Sequence, residues 1–326
     1  MNRLFVPICW ILFVTRSFAP ASPPMAPADL PGEGLAQHPF FYAGEDMVQS
    51  MYLVKHGQIV WSHTIPNSKG EISDAFLRAN GNVLFAHQFG ITEISPQKNV
   101  VWHLDAPRGC EIHTAQPLAG DRVMYVQNGN PARLRIVSKT TGKTDLEFTL
   151  PVKQPKSVHG QFRHARVTRQ GTFIVAHMDA SKVAEYDSTG KQVWSVEVPS
   201  PWSASRLPNG NTLITSNKCF VLEVDRSGNK VWELTQADVP AYRLIGTQLA
   251  VRLANGNTLV NNWWNNWSHK VDVDNPPVQA LEVTADKRVV WALRSWKGPS
   301  NLGPSTTIQL LDEPPPAEDF RVPGLE

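Results

Sequence analysis

The chain has 326 residues, 41% of them hydrophobic and only 18% charged, with 11 Trp, 26 Pro and 21 Gly. That balance excludes a disordered chain and long charged helices. The formal charge of +2 rests on Arg3 and Arg16, both in a predicted leader; without them 29 basic residues face 29 acidic ones, and nucleic-acid binding, which needs a cationic surplus, is excluded.

Residues 1–21 read as a secretory signal: Arg3, an apolar run of 11 residues from Leu4 to Val14, and Ala19-Pro20-Ala21 at cleavage spacing. The run is too short to span a bilayer, so no membrane span is expected and the mature chain is predicted to be secreted or periplasmic. Residues 22–38 are Pro-rich and read as a flexible linker. After cleavage Cys110 and Cys219 remain; one bridge is allowed, and two lone thiols are the expectation.

From residue 39 onward one pattern recurs. An apolar segment enters a Gly turn, an apolar strand follows, then a short polar loop, an alternating strand, a second turn and a strand closing on an aromatic residue. The first turn stands at Asn80-Gly81, Ala119-Gly120, Gln170-Gly171, Asn209-Gly210 and Asn255-Gly256. The closing aromatics are Trp61, Trp102, Phe148, Trp194, Trp232 and Trp291. Asn-Gly between apolar runs is a strong hairpin signal, expected from the tolerance of both residues for positive φ. Six closing aromatics against five such turns imply a split copy. The segment from Ser305 to Asp312 supplies its inner strand, and Phe40-Phe41-Tyr42 with Ser50 to Trp61 supply the other three. The prediction is an all-β, six-bladed β-propeller of four-stranded antiparallel blades over residues 39–313, closed by the C-terminal strand, with a flexible tail at 314–326. Two separate β-sandwiches would not need their ends to complement each other.

With strands lettered A to D outward from the axis, the A–B and C–D turns share one face. The B–C loops and D–A links share the other, where His87, His113, His159, His164 and His177 all fall. Function is expected there. His113 and His164 begin inner strands and are the candidates for base or nucleophile, with Arg163 to hold an anionic group. His87, Gln116, Asn128, His159, His177, Asn217 and Asn262 are the candidate ligand-binding residues, and Trp263, in a Trp-rich insertion reaching Pro277, is the candidate stacking platform. Asn266-Trp267-Ser268 forms a sequon. No HxH or HxxxH spacing occurs, so no metal and no cofactor are expected. Glu93, Glu185, Glu223 and Glu282 recur at one position of strand C and read as structural.

Asp187-Ser-Thr-Gly-Lys-Gln-Val-Trp194 and Asp225-Arg-Ser-Gly-Asn-Lys-Val-Trp232 resemble the Trp-docked repeats of PQQ-like propellers. Arg206-Leu-Pro-Asn-Gly-Asn-Thr-Leu213 and Arg252-Leu-Ala-Asn-Gly-Asn-Thr-Leu259 resemble those of arylsulfotransferase-type propellers. That second resemblance implies a channel His accepting a sulfuryl group, with further His and Arg residues stabilising it; His164, His113 and Arg163 match those roles. Two functions are carried forward. One is a monomeric secreted propeller with a site for a small polar or carbohydrate-like ligand, an enzyme acting on a glycan-like or sulfated/phenolic small molecule. The other is a non-catalytic protein–protein scaffold of the cell envelope.

Overall fold

The computed structural model describes residues 29–46, 48–66, 70–265, 270–314 and 320–325. The predicted signal segment and the sequon lie outside them. Six four-stranded antiparallel sheets are present among the described residues. Blade 1 combines β24 (Thr307–Leu310) with β1 (Phe40–Gly44), β2 (Val48–Lys55) and β3 (Gln58–Pro66). Blade 2 is β4 (Asp74–Leu77) to β7 (Val100–Asp105), through β5 (Val83–Ala86) and β6 (Gly90–Ile94). Blade 3 runs β8 (Glu111–Leu118), β9 (Arg122–Asn128), β10 (Ala132–Ser138), β11 (Thr144–Leu150). Blade 4 runs β12 (Phe162–Val167), β13 (Phe173–His177), β14 (Lys182–Tyr186), β15 (Gln192–Glu197). Blade 5 runs β16 (Pro201–Arg206), β17 (Thr212–Ser216), β18 (Phe220–Val224), β19 (Lys230–Leu234). Blade 6 runs β20 (Thr247–Arg252), β21 (Thr258–Asn262), β22 (Ala280–Val283), β23 (Val289–Leu293). The fold is thus the predicted six-bladed propeller, and β24 closes it by pairing Leu310 with Phe40 and Ile308 with Tyr42.

The core is divided among the blade–blade interfaces. Along β1, Phe40 and Tyr42 pack with blade 6, while Phe41 and Ala43 pack with blade 2. Successive side chains of a strand point to opposite faces, so one strand feeds two cores. Trp side chains tie these layers together. Trp61 Nε1 donates to Pro96 O at 2.8 Å, Trp194 to Arg226 O at 2.8 Å, and Trp232 to Ala285 O at 2.9 Å, each in the next blade. The recurring strand-C glutamates are structural, as expected. Three take a cation from the following repeat, Glu93 from Lys139 at 2.7 Å, Glu185 from Arg206 and Glu223 from Arg252 at 2.6 Å, and Glu282 lies 3.1 Å from His38 Nε2.

The Asn-Gly turns differ in detail from expectation. Only the glycine is left-handed, as at Gly210 with φ +89, and Asn209 is not. Asn209 instead accepts the Asn211 amide on its Oδ1 at 3.0 Å, and Gly210 N donates to Leu207 O at 2.9 Å. The asparagine serves as a local backbone acceptor. Cys110 and Cys219 are both free thiols.

Parts of both terminal segments dock on the propeller. Trp291 Nε1 donates to Gly34 O at 2.8 Å, and Ala292 N donates to Pro31 O at 3.1 Å. Of the segment read as a tail, Val322 is buried against the core between blades 3 and 4, with Phe320 and Leu325 beside it.

Candidate functional site

The inner strands of blades 3 to 6 share an irregularity close to the loop face. Their register to the second strand shifts between Ile112 and Thr114, Phe162 and Ala165, Pro201 and Ser203, and Thr247 and Ala250. The residues left out of pairing are His113, then Arg163 and His164, then Trp202, then Gln248 and Leu249. A bulge frees a side chain from strict alternation and re-aims it. Four consecutive blades therefore turn polar or aromatic side chains out of register at equivalent places.

The best-defined cluster lies between blades 2, 3 and 4. Glu111 Oε2 accepts from His113 Nε2 at 2.7 Å and from His159 Nδ1 at 2.8 Å. On the far side of the two rings, His113 Nδ1 lies 3.1 Å from Glu71 Oε1 and 3.0 Å from Ser73 Oγ. Arg163 Nη1 donates to Glu71 Oε1 at 3.1 Å, and its Nη2 donates to His159 Nε2 at 2.8 Å. The Arg163 guanidinium lies 4.8 Å from the Trp202 ring centroid, and Trp202 stacks on Trp263 at 6.2 Å. His113 is fully buried, whereas half of the His159 side chain is exposed, so His159 forms the cluster's open edge.

Carboxyl chemistry is split within this cluster. Burial, and after it the charge of Glu71, pushes Glu45 well above the usual carboxylate range. Burial also acts to raise Glu71, but the His113 hydrogen bond and the Arg163 charge outweigh it and hold Glu71 far below that range. The two neighbouring carboxyls are thus pushed in opposite directions, Glu45 towards its protonated form and Glu71 towards its charged form. Glu111 is held low in the same way: its two histidine hydrogen bonds outweigh its burial. Several buried polar atoms at the bulges have no protein partner, including Arg163 Nε, Trp202 Nε1 and both amide atoms of Gln248. Such atoms call for a polar ligand or solvent.

The structure thus brings together His113, His159, Arg163 and Trp263 among the sequence candidates. Asn217 is exposed and flanks Gly246 together with Trp263. The remaining candidates are engaged elsewhere. His164 is buried; its Nδ1 accepts from Arg166 Nη2 at 3.3 Å, and its Nε2–H donates to Ser73 O at 3.1 Å. Burial lowers it to about 4, so it is a neutral brace at neutral pH. His177 is buried against Tyr186, with 2.9 Å between Nε2 and the hydroxyl, and burial lowers it to about 3. His87 lies inside blade 2, at 3.0 Å from Thr92 Oγ1. Asn128 donates to Val158 O and Phe162 O. Asn262 accepts from Ile245 N and donates to Arg243 O and Val278 O. Gln116 accepts from Val167 N at 2.8 Å and lines the opposite end of the channel.

That opposite end holds a cavity of about 290 Å³ between the inner strands, bordered by Leu249, Val251, Leu253, Ile308 and Phe320. Its central charges are already paired: Arg166 clasps Asp74 through Nη1 at 2.8 Å and Nη2 at 2.9 Å. Its wall is mostly apolar, and Arg206 and Arg252 at its border pair with Glu185 and Glu223. Sequence reasoning missed Glu45, Glu71, Glu111, Ser73 and Trp202. The available signal was Glu111-Ile112-His113, with the acid two residues from the histidine.

Residues 151–262 match the PQQ_2 family model, described as outer membrane protein assembly factor BamB, so the expected PQQ-like repeat is present. No curated protein matches the chain. A Bacteroides caccae protein of unknown function superposes with a TM-score of 0.71 at 21% identity, covering 83% of this chain and 97% of its own. A streptogramin B lyase gives 0.55 at 11% identity, covering 83% and 88%. Virginiamycin B lyase from Staphylococcus aureus gives 0.51 at 14% identity, covering 77% and 75%. At these identities the likeness is one of fold. None of these matches carries the arylsulfotransferase-type resemblance.

Proposed function

We propose that the chain is an exported, monomeric propeller that binds a small neutral polyhydroxy ligand, such as a glycan fragment, at the loop-face mouth of its channel. The observation that carries this reading is the stack of Arg163, Trp202 and Trp263 beside the neighbouring carboxyls of Glu45 and Glu71. Aromatic faces pack against the C–H face of a sugar ring, and carboxyl and imidazole groups serve its hydroxyls. A sulfated ligand fits less well. The Arg163 fork is already committed to Glu71 and His159, and the ionised Glu71 and Glu111 repel an incoming anion.

The test is a panel of neutral oligosaccharides and aryl sulfates, read by melting temperature and Trp fluorescence. Neutral sugars should shift the native chain, and Trp263→Ala should remove that shift. Shifts from aryl sulfates alone, or sugar shifts retained in Trp263→Ala, would overturn the assignment. A second reading, a protein–protein scaffold of the cell envelope, is favoured by the match of residues 151–262 to BamB. It gains if no small molecule in the panel shifts the protein.

A further inference from the structure

The geometry points to a transition-metal site of zinc type formed by Glu71, His113 and His159. One donor atom from each of these residues lies within 4.8 Å of the others. His113 Nδ1 is 3.1 Å from Glu71 Oε1, and His159 Nε2 is 3.8 Å from the same oxygen. Donors about 2.0–2.1 Å from a tetrahedral zinc ion lie about 3.3 Å apart, so these atoms need little movement to close on one ion. Two imidazoles with one carboxylate select zinc-like ions over magnesium or calcium. They leave a fourth position for solvent or a ligand hydroxyl.

The shell behind the donors has the form such a site needs. A single carboxylate oxygen, Glu111 Oε2, accepts from the rear nitrogen of both rings, His113 Nε2 at 2.7 Å and His159 Nδ1 at 2.8 Å. That contact holds both rings with their front nitrogens, His113 Nδ1 and His159 Nε2, towards Glu71, and zinc would take the place of the proton between His113 Nδ1 and Glu71 Oε1. A carboxylate backing a metal-binding histidine is the usual outer-shell arrangement, and here one serves two. A cation already stands at this place. Arg163 donates to both Glu71 Oε1 and His159 Nε2, while its own Nε is buried without a partner. Metal and guanidinium compete for the same two atoms, so loading the site requires Arg163 to withdraw.

The test titrates zinc chloride alone into the tag-free chain by calorimetry, after chelator treatment. It therefore stands apart from carbohydrate binding. One saturable site with a dissociation constant of about 10 µM or tighter is expected, with proton release. His159→Gln changes a half-exposed side chain and should weaken binding at least about 100-fold with the melting temperature kept. Glu111→Gln, a positioning change, should weaken it about 10–100-fold. Arg163→Gln removes the competing cation and should tighten it about tenfold. Cobalt should give the intense visible bands of a four-coordinate ion in the native chain and not in His159→Gln. Absence of saturable binding below 1 mM, or equal affinity in His159→Gln, would overturn the proposal.

Discussion

Arg163 Nη2 donates to His159 Nε2 across 2.8 Å. A guanidinium cannot accept, so this ring nitrogen is the acceptor and Nδ1–H is left for Glu111. The same guanidinium is the buried countercharge of Glu71. Arg163→Leu should therefore cost about 3–5 kcal/mol, because it strands an ionised carboxylate beside Glu45. Adding Glu71→Gln should recover most of that loss, which a double-mutant cycle in urea measures. Additive losses would show that the two residues are not coupled.

The pH profile follows from two buried histidines. Burial lowers His164 to about 4 and His177 to about 3, so below about pH 6.5 the folded chain binds fewer protons than the unfolded chain. Their stabilisation is complete above that pH and is lost as pH falls through 6.5, to about 4 for His164 and about 3 for His177. The full loss is about 3 kcal/mol for His164 and about 5 kcal/mol for His177. Glu71 and Glu111, held low, add a further loss below the ordinary carboxylate range, whereas Glu45, raised, acts in the opposite sense. Melting temperature should begin to fall near pH 6.5 rather than near 4.5. Replacing His177 and Tyr186 together by Phe should reduce the slope of that first limb by about half, leaving the part due to His164; an unchanged limb would assign it elsewhere.

Much of the architecture was legible because turns and docking tryptophans are local signals. Gly210 must be left-handed, and Trp232 must find an acceptor, whatever the rest of the chain does. The site was only half legible. His113 and Arg163 were named, but bulges set their direction, and strand alternation does not reveal a bulge. Glu45 and Glu71 lie in connections of blades 1 and 2, far in sequence from Arg163, and meet it only through ring closure. Asn128 and Asn262 resembled ligand-binding residues because a side chain that caps buried backbone groups has the same composition as one that holds a ligand.

The blade interfaces make a sharper stability prediction than the site. Glu185 and Arg206 join blades 4 and 5, and both side chains are 3% exposed. Glu185→Ala leaves a buried guanidinium unpaired and should cost about 3–5 kcal/mol. Trp232→Phe removes one hydrogen bond to Ala285 and part of the stacking on Arg252, and should cost about 1–2 kcal/mol. Denaturant midpoints give both values. A loss from Trp232→Phe larger than that from Glu185→Ala would reverse the proposed order of importance.

Closure of the ring makes the last prediction. Without β24, the inner edge of β1 loses its partner, and the core between blades 6 and 1 loses Ile308 and Leu310, which are 1% and 4% exposed. Burying two such side chains stabilises by about 3–6 kcal/mol, and the lost ladder hydrogen bonds add to that. A chain ended at Pro304 keeps Gly303, whose carbonyl accepts from Tyr42 Oη at 2.6 Å, and loses the docked Phe320, Val322 and Leu325 along with the strand, so a chain ended at Pro314 serves as its reference. The shorter chain should melt at least about 10 °C below that reference and expose an edge that self-associates. A peptide spanning residues 305–314, added in trans, should restore the midpoint to that of the chain ended at Pro314 by pairing with β1. If the shorter chain melts like its reference, the ring is held by its interfaces alone and the split blade is dispensable.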